Sequence, residues 1–199
     1  MKKACVTKGA PVAVSFATAR CVCRPLRRAD IDACCGWDPR PVRRTSAERR
    51  TRADRLVTRW TAMRRRWFAC ELAGTGRLVA LISLRDHCPR AGAWRLGMEV
   101  APKLAGRGYG TEILKGFLEH YFDTLKGRLL MLDVARSNAR ARHVYTRCGF
   151  RLRGSFRRPD PEAVAERVER GRPTAVYDEM AVTRREWRAA RNAAGAATA

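Results

Sequence analysis

Three things are scarce in this 199-residue chain, and each scarcity narrows what the chain can be. No apolar run approaches the roughly 20 residues that span a bilayer, which excludes a membrane-crossing helix. Histidine is limited to His87, His120 and His143, far apart and never in an H-x-x-x-H pattern, so surface or half-buried roles fit them better than metal binding. Acidic residues are outnumbered: 19 Asp and Glu stand against 42 Lys and Arg, giving a net charge of +23 and a pI near 11.2. A chain this basic attracts polyanions and repels small polycations. The amino terminus, "MKKACVTKGAPVAVSFATAR", has early lysines and an A-x-A pattern but lacks the leucine-rich core of an export signal. Residues 1–15 are therefore expected to be a flexible segment.

What is present points to one domain. The composition, 46% hydrophobic and 31% charged, is that of a soluble globular protein, expected over residues 16–188 with a frayed tail at 189–199. The expected compartment is the cytoplasm. The eight cysteines, Cys5, Cys21, Cys23, Cys34, Cys35, Cys70, Cys88 and Cys148, are scattered and are read as reduced thiols. Cys21 and Cys23 are expected on opposite faces of a strand, and Cys34-Cys35 has no second pair at zinc-ribbon spacing, so no metal is expected.

Arginine is densest between residues 40 and 66, where Arg40, Arg43, Arg44, Arg49, Arg50, Arg52, Arg55, Arg59, Arg64, Arg65 and Arg66 face only Glu48 and Asp54. Thr45 and Glu48 form a capping box, and Leu56, Trp60, Met63 and Trp67 recur at steps that share one helical face. A helix is expected over about 46–64. It reads equally as a solvated basic face and as a ribosome or nucleic-acid contact.

Punctuation along the chain predicts a mixed α/β order without repeats. Residues 16–26 read as a first strand, and a short helix follows whose start is marked by Asp30 or Asp32. "WFACELAG" and "RLVALISLR" make a hairpin across Gly74-Thr75-Gly76, and "WRLGMEVA" is a further strand. Ile113, Leu114, Phe117, Leu118, Tyr121, Phe122 and Leu125 form one apolar stripe of a helix over 111–125. "RLLMLDVA" reads as a strand buried on both faces, because its apolar run is continuous. A helix from Asn138 to Cys148 stops at Gly149, strands near 150–157 and 175–182 follow, and Thr183 with Glu186 caps a closing helix.

Two local patterns carry chemistry. In "LAGRGYGTE", Gly106, Gly108 and Gly110 precede a helix, whose first N–H groups are unpaired and whose dipole end is positive. Without Cβ atoms in the way, an anion can approach, and Arg107 adds a charge there. The alternative is a tight strand-to-helix turn without a ligand. The spacing matches neither a P-loop nor a dinucleotide fingerprint. In "SNARARHVYTRCGF", Asn138 and Tyr145 stand almost two helical turns apart on one face, able to line a cleft. A protonated tyrosine there can hand its proton to a departing thiolate; it can equally pack with Ala141 and Cys148 in the core.

Together these patterns resemble the GNAT acyltransferase superfamily. "V-x-P-x-x-x-G-R-G-Y-G-T-E", Val100 to Glu112, resembles its acetyl-coenzyme A diphosphate loop, and "N-x-x-A-x-x-x-Y-x-x-x-G-F", Asn138 to Phe150, its second cofactor element. "CRPLRRADID" and "YDEMAVTRREW" resemble the opening and closing segments of the RimJ/RimL-type branch, which acetylates amino termini of ribosomal proteins. One position departs: Ala105 stands three residues before Gly108, where the family usually has Gln or Arg.

The resemblance implies an α/β (α+β) GNAT fold: a mixed, mostly antiparallel sheet of about seven strands, the fourth and fifth splayed apart, flanked by about four helices. It implies acetyl-CoA as co-substrate, held by Val100, Ala101, Ala105, Gly106, Arg107, Gly108, Tyr109, Gly110, Thr111, Asn138, Ala141 and Tyr145. The Val100 N–H would face the acetyl carbonyl, Tyr145 would protonate the thiolate, and Glu99, with Asp133 as the other candidate, would accept the amine proton. The implied acceptor is a primary amine, with a protein or peptide amino terminus preferred by charge. The alternatives are an aminoglycoside or polyamine, or a non-catalytic module that binds RNA or the ribosome through residues 40–66. The chain is expected to be a monomer or homodimer.

Overall fold

The computed structural model describes residues 16–35, 37, 51, 54–55, 57–58, 65–87, 92–159 and 174–196. Residues 16–26 are not one strand: β1 (Phe16–Ala17) turns back onto β2 (Cys21–Pro25), pairing Phe16 with Cys23 and Ala17 with Val22. Thr18 closes this turn, its N–H donating to the Cys21 carbonyl at 2.8 Å and its hydroxyl accepting from the Cys21 N–H at 3.0 Å. A threonine that bonds its neighbouring backbone competes with an extended ladder, and here it wins.

Helix α1 (Arg28–Cys35) begins ahead of Asp30, whose carboxylate reaches back to the Arg27 N–H at 2.6 Å and accepts both arms of the Arg24 fork at 2.8 and 2.9 Å. Asp30 thus satisfies an orphan donor of the first turn. Of the arginine-rich helix expected over 46–64, Thr51, Asp54, Arg55, Val57 and Thr58 are helical; Thr45, Glu48, Leu56, Trp60 and Met63 lie outside the described residues. Trp67 does not share that helix's face, because it belongs to β3 (Arg65–Leu72).

β3 and β4 (Leu78–Asp86) form the expected antiparallel hairpin, with Gly74 at φ 80° and Gly76 at φ 65°, values that disfavour any side chain. β5 (Ala93–Val100) follows, then α2 (Tyr109–Glu119), which starts two residues earlier than expected and widens into a single π turn over His120–Thr124. Its stripe is as expected: Ile113, Leu114, Phe117, Leu118, Tyr121 and Phe122 are buried.

β6 (Leu129–Ala135) alternates, with Leu130, Leu132 and Val134 buried and their neighbours half-exposed, so it is not the doubly buried strand its apolar run suggested. The continuous run conceals a period of two. α3 (Ala139–Arg147) ends before Gly149, whose φ of 91° provides the left-handed stop. β7 (Arg151–Pro159) and β8 (Thr174–Thr183) form a hairpin. The Thr183–Glu186 capping box is made: the Thr183 N–H donates to Glu186 at 2.9 Å and the Glu186 N–H to the Thr183 hydroxyl at 3.2 Å. Helix α4 (Arg184–Ala196) then continues beyond residue 188, where the sequence reading ended the domain.

Among the described residues the sheet has eight strands in the order β1-β2-β3-β4-β5-β6-β8-β7, and only the β5–β6 pair is parallel. The expected count of seven becomes eight because the opening strand is split. The family's fourth and fifth strands are β5 and β6 here. They pair only at Ala93–Leu129, Trp94–Leu130 and Arg95–Met131, after which the ladder ends.

The cysteines require two corrections. Cys21 and Cys23 are both fully buried on one face, with Val22 exposed between them, because side chains two apart on a strand return to the same side. Cys23 also lies directly opposite Cys70 of β3 and is disulfide-bonded to it, so the reading of reduced thiols does not hold for this pair. Among the described residues, no helix is long and apolar enough to cross a membrane.

Candidate active site

The parting of β5 and β6 defines the site. Arg95 sits at the last paired position, where its guanidinium pairs with Asp133 of β6 and donates to Glu179 of β8 at 2.8 Å. Beyond it, among the described residues, β5 pairs only with β4. The Ala101 N–H donates to the Val79 carbonyl at 2.8 Å, so the opposed pair Ala80–Val100 is of the non-hydrogen-bonded kind. The Val100 N–H and carbonyl therefore point away from β4, into the gap on the β6 side.

A cavity of about 730 Å³ occupies that gap. It falls within the size range of small-molecule sites, roughly 300–1,000 Å³. Its floor is Met98, Glu99 and Val100; one wall is the loop containing Ala105, Gly106, Gly108, Gly110 and Thr111, and the facing wall is α3, with Asn138, Ala141, Val144 and Tyr145. Ten residues singled out from the sequence are thus brought together, across three separate elements.

The glycine loop has the backbone expected of an anion cradle. Gly106 and Gly108 adopt φ values of 81° and 82°, and Gly108 is the N-cap of α2 without a side-chain cap, leaving the first N–H groups of the helix to another partner. A larger residue at Gly108 would be strained by its dihedral alone. These features fit a bound diphosphate.

Three predicted residues do not line the cavity. Ala101 is buried and its N–H is taken by Val79. Arg107 is exposed, and its carbonyl accepts from Arg20 on the outside of the loop. The Tyr109 ring packs against the core, 4.1 Å beneath the Arg20 guanidinium. Conversely, Met98, Pro102, Leu104, Arg140, His143 and Val144 line the cavity without having been expected there. Val144 was within reach, being three residues past Ala141 on the same helical face.

Asn138 serves its own helix as well. Its Oδ1 accepts the Ala141 N–H at 3.0 Å, which caps α3 and fixes where the helix points. Tyr145 is half-buried, and burial, helped by the neighbouring Cys148 sulfur, pushes its phenol up to about 12. The phenol is protonated throughout the physiological range. Burial likewise pushes the Cys148 thiol up to about 11, so this cysteine is not a ready nucleophile. Of the two candidate carboxylates, Glu99 lines the cavity and Asp133 does not; Asp133 pairs with Arg95 and has Arg158 at 3.8 Å.

Comparison with known proteins agrees with this geometry. A chimera of the Vibrio cholerae spermidine N-acetyltransferase SpeG and hSSAT is 19% identical, with a TM-score of 0.66 over 85% of this chain and 98% of its own. A GNAT-family acetyltransferase from Bacillus anthracis is 18% identical, with a TM-score of 0.65 over 87% of this chain and 100% of its own. Identities this low show a shared fold. The family described as "Acetyltransferase (GNAT) domain" matches residues 20–151, a span that runs from the Arg20 turn through both walls of the cavity. The chain belongs to the GNAT acetyltransferases, enzymes that use acetyl-CoA to acetylate an amine.

Proposed function

We propose that this enzyme acetylates the amino terminus of a protein or peptide by direct attack on the acetyl-CoA thioester, with the β5–β6 gap as its active site. The observation that carries the reading is the outward-turned backbone of Val100, beside a helix N-terminus whose donors are uncapped. When bound, acetyl-CoA supplies an activated acetyl carbonyl and a thiolate leaving group. The loop from Ala105 to Thr111 holds the diphosphate, and the Val100 N–H donates to the carbonyl oxygen as charge develops on it. Glu99 takes the amine proton, directly or through water. Tyr145, kept protonated by burial, acts as the general acid by donating its O–H to the sulfur as the C–S bond breaks, and the thiolate, whose parent thiol has a pKa of roughly 8.5, leaves hydrogen-bonded to it.

The choice of acceptor rests on charge and on the RimJ/RimL-type motifs. Glu99 is the one acidic residue among the described cavity lining, while Arg140 and His143 line it too. With a net charge of +23, such a site suits a singly charged amino terminus better than a polycation. The second reading is a polyamine acceptor, favoured by the spermidine N-acetyltransferases among the similar folds. A cytoplasmic setting and a ribosome contact through residues 40–66 belong to the first reading. A thiol-release screen with acetyl-CoA decides between the two: amino-terminal peptides should turn over faster than spermidine or kanamycin. The reverse order would transfer the assignment to small amines.

A further inference from the structure

The cofactor loop is gripped from outside by a residue far away in sequence. Arg20 stands in the turn between β1 and β2, and its Nε donates to Glu112 Oε2 at 2.6 Å. Its backbone N–H donates to Glu112 Oε1 at 2.8 Å, beside the Thr18 hydroxyl, which donates to the same oxygen at 2.7 Å. Both terminal nitrogens of Arg20 donate to the Arg107 carbonyl at 3.3 Å, and the guanidinium lies 4.1 Å above the Tyr109 ring. A Cβ built on Gly108 would come within 3.4 Å of Arg20 Nη2. One side chain therefore touches or closely borders four positions of the loop and of the first turn of α2.

We propose that Arg20 is a positioning residue for acetyl-CoA: it locks the Gly106–Thr111 loop so that its N–H groups converge on the diphosphate. The inference rests on the reading that this loop holds the cofactor. Two physical reasons support it. Left-handed dihedrals at Gly106 and Gly108 are among many open to glycine, so something outside the loop must select them. The Arg107 carbonyl, fixed by Arg20, sets the peptide plane between those two glycines and the direction of the Gly108 N–H. The second reason is electrostatic. Glu112 lies in the first turn of α2, where its charge would oppose a bound anion. Burial works against that charge, yet the Thr18 hydroxyl and Arg20 hold the carboxyl below its usual range, so it stays ionised and needs a cation beside it. The fork of an arginine can satisfy Glu112, the carbonyl and the ring together; a lysine ammonium cannot.

The test compares acetyl-CoA with acetyl-pantetheine, which lacks the diphosphate. Arg20→Ala should raise KM for acetyl-CoA by about tenfold or more, since small misplacements of binding groups cost that much, and leave kcat within about twofold. KM for acetyl-pantetheine should not change. Arg20→Lys, which preserves charge and fold, should raise KM for acetyl-CoA in the same direction. Equal effects on both donors, or wild-type behaviour of Arg20→Lys, would overturn the positioning role while leaving the loop as the cofactor site. A wild-type enzyme that does not distinguish the two donors would overturn both.

Discussion

The ring of Tyr145 stands edge-on to that of Phe150, with centroids 5.7 Å apart and planes at 60°, while the same tyrosine lines the cavity. The ring therefore packs while the residue still borders the cavity, and both roles weighed for it, core packing and proton donation, are open to one decisive substitution. Tyr145→Phe preserves the ring contact and removes only the oxygen. It should keep the melting temperature and the KM for acetyl-CoA, and lower kcat by roughly ten- to a thousand-fold. Because burial pushes the phenol up to about 12, kcat should show no falling limb from this residue below about pH 10. A destabilised variant with nearly normal kcat would leave packing as its whole role.

Gly108 tests the cradle. Its φ of 82° excludes a β-branched side chain, so Gly108→Val must move the loop. A ligand that binds only the folded state raises the melting temperature, by an amount set by its concentration relative to Kd. Saturating acetyl-CoA should stabilise the wild type and fail to stabilise Gly108→Val. The ligand-induced shift is the quantity to compare, since the variant's own melting point also reports the strain.

His120 predicts a pH dependence of stability. It is buried in the π turn, stacked on Phe16 at 5.3 Å, with no hydrogen-bond partner for Nε2 in the structure. Burial disfavours its charged form and lowers its pKa. The unfolded chain then binds more protons than the folded one between the lowered pKa and the ordinary value near 6.5. The stability it contributes is complete above about pH 6.5 and is lost as pH falls through that window. His120→Phe, which retains the stacking, should flatten the urea midpoint between pH 7.5 and 5.0; an unchanged slope would assign the loss to other groups. The carboxylates Asp30, Asp178 and Glu186, all held below their usual range, titrate in a more acidic window.

The arginine-rich segment can be tested apart from the chemistry. Arg55 is helical and exposed, and it is not among the described residues that line the cavity. Reversing the charge at Arg52, Arg55 and Arg59 should weaken any ribosome or RNA association and reduce its salt dependence, with peptide turnover nearly intact. Association unchanged by the reversals would leave the segment as a solvated face.

Local signals in the sequence pointed to ten of the residues that line the cavity and to several helix ends. The glycine loop, the Asn138–Tyr145 spacing, the Thr183–Glu186 cap and the Gly149 stop each depend on residues within about two helical turns of one another, which is the range over which backbone geometry is set. The apolar stripe of α2 was legible for the same reason. What required the tertiary structure were relations between distant segments. The break of residues 16–26 into a hairpin follows from a Thr18 hydrogen bond that competes with the ladder. The Cys23–Cys70 bond and the Arg20–Glu112 clasp join positions 47 and 92 residues apart. The direction of the Val100 N–H depends on its register with Ala80 and on β6 leaving β5 after Arg95. Hydrophobic periodicity tells which face of a strand is buried, but which edge its backbone donors face is decided only when the neighbouring strand takes up its register.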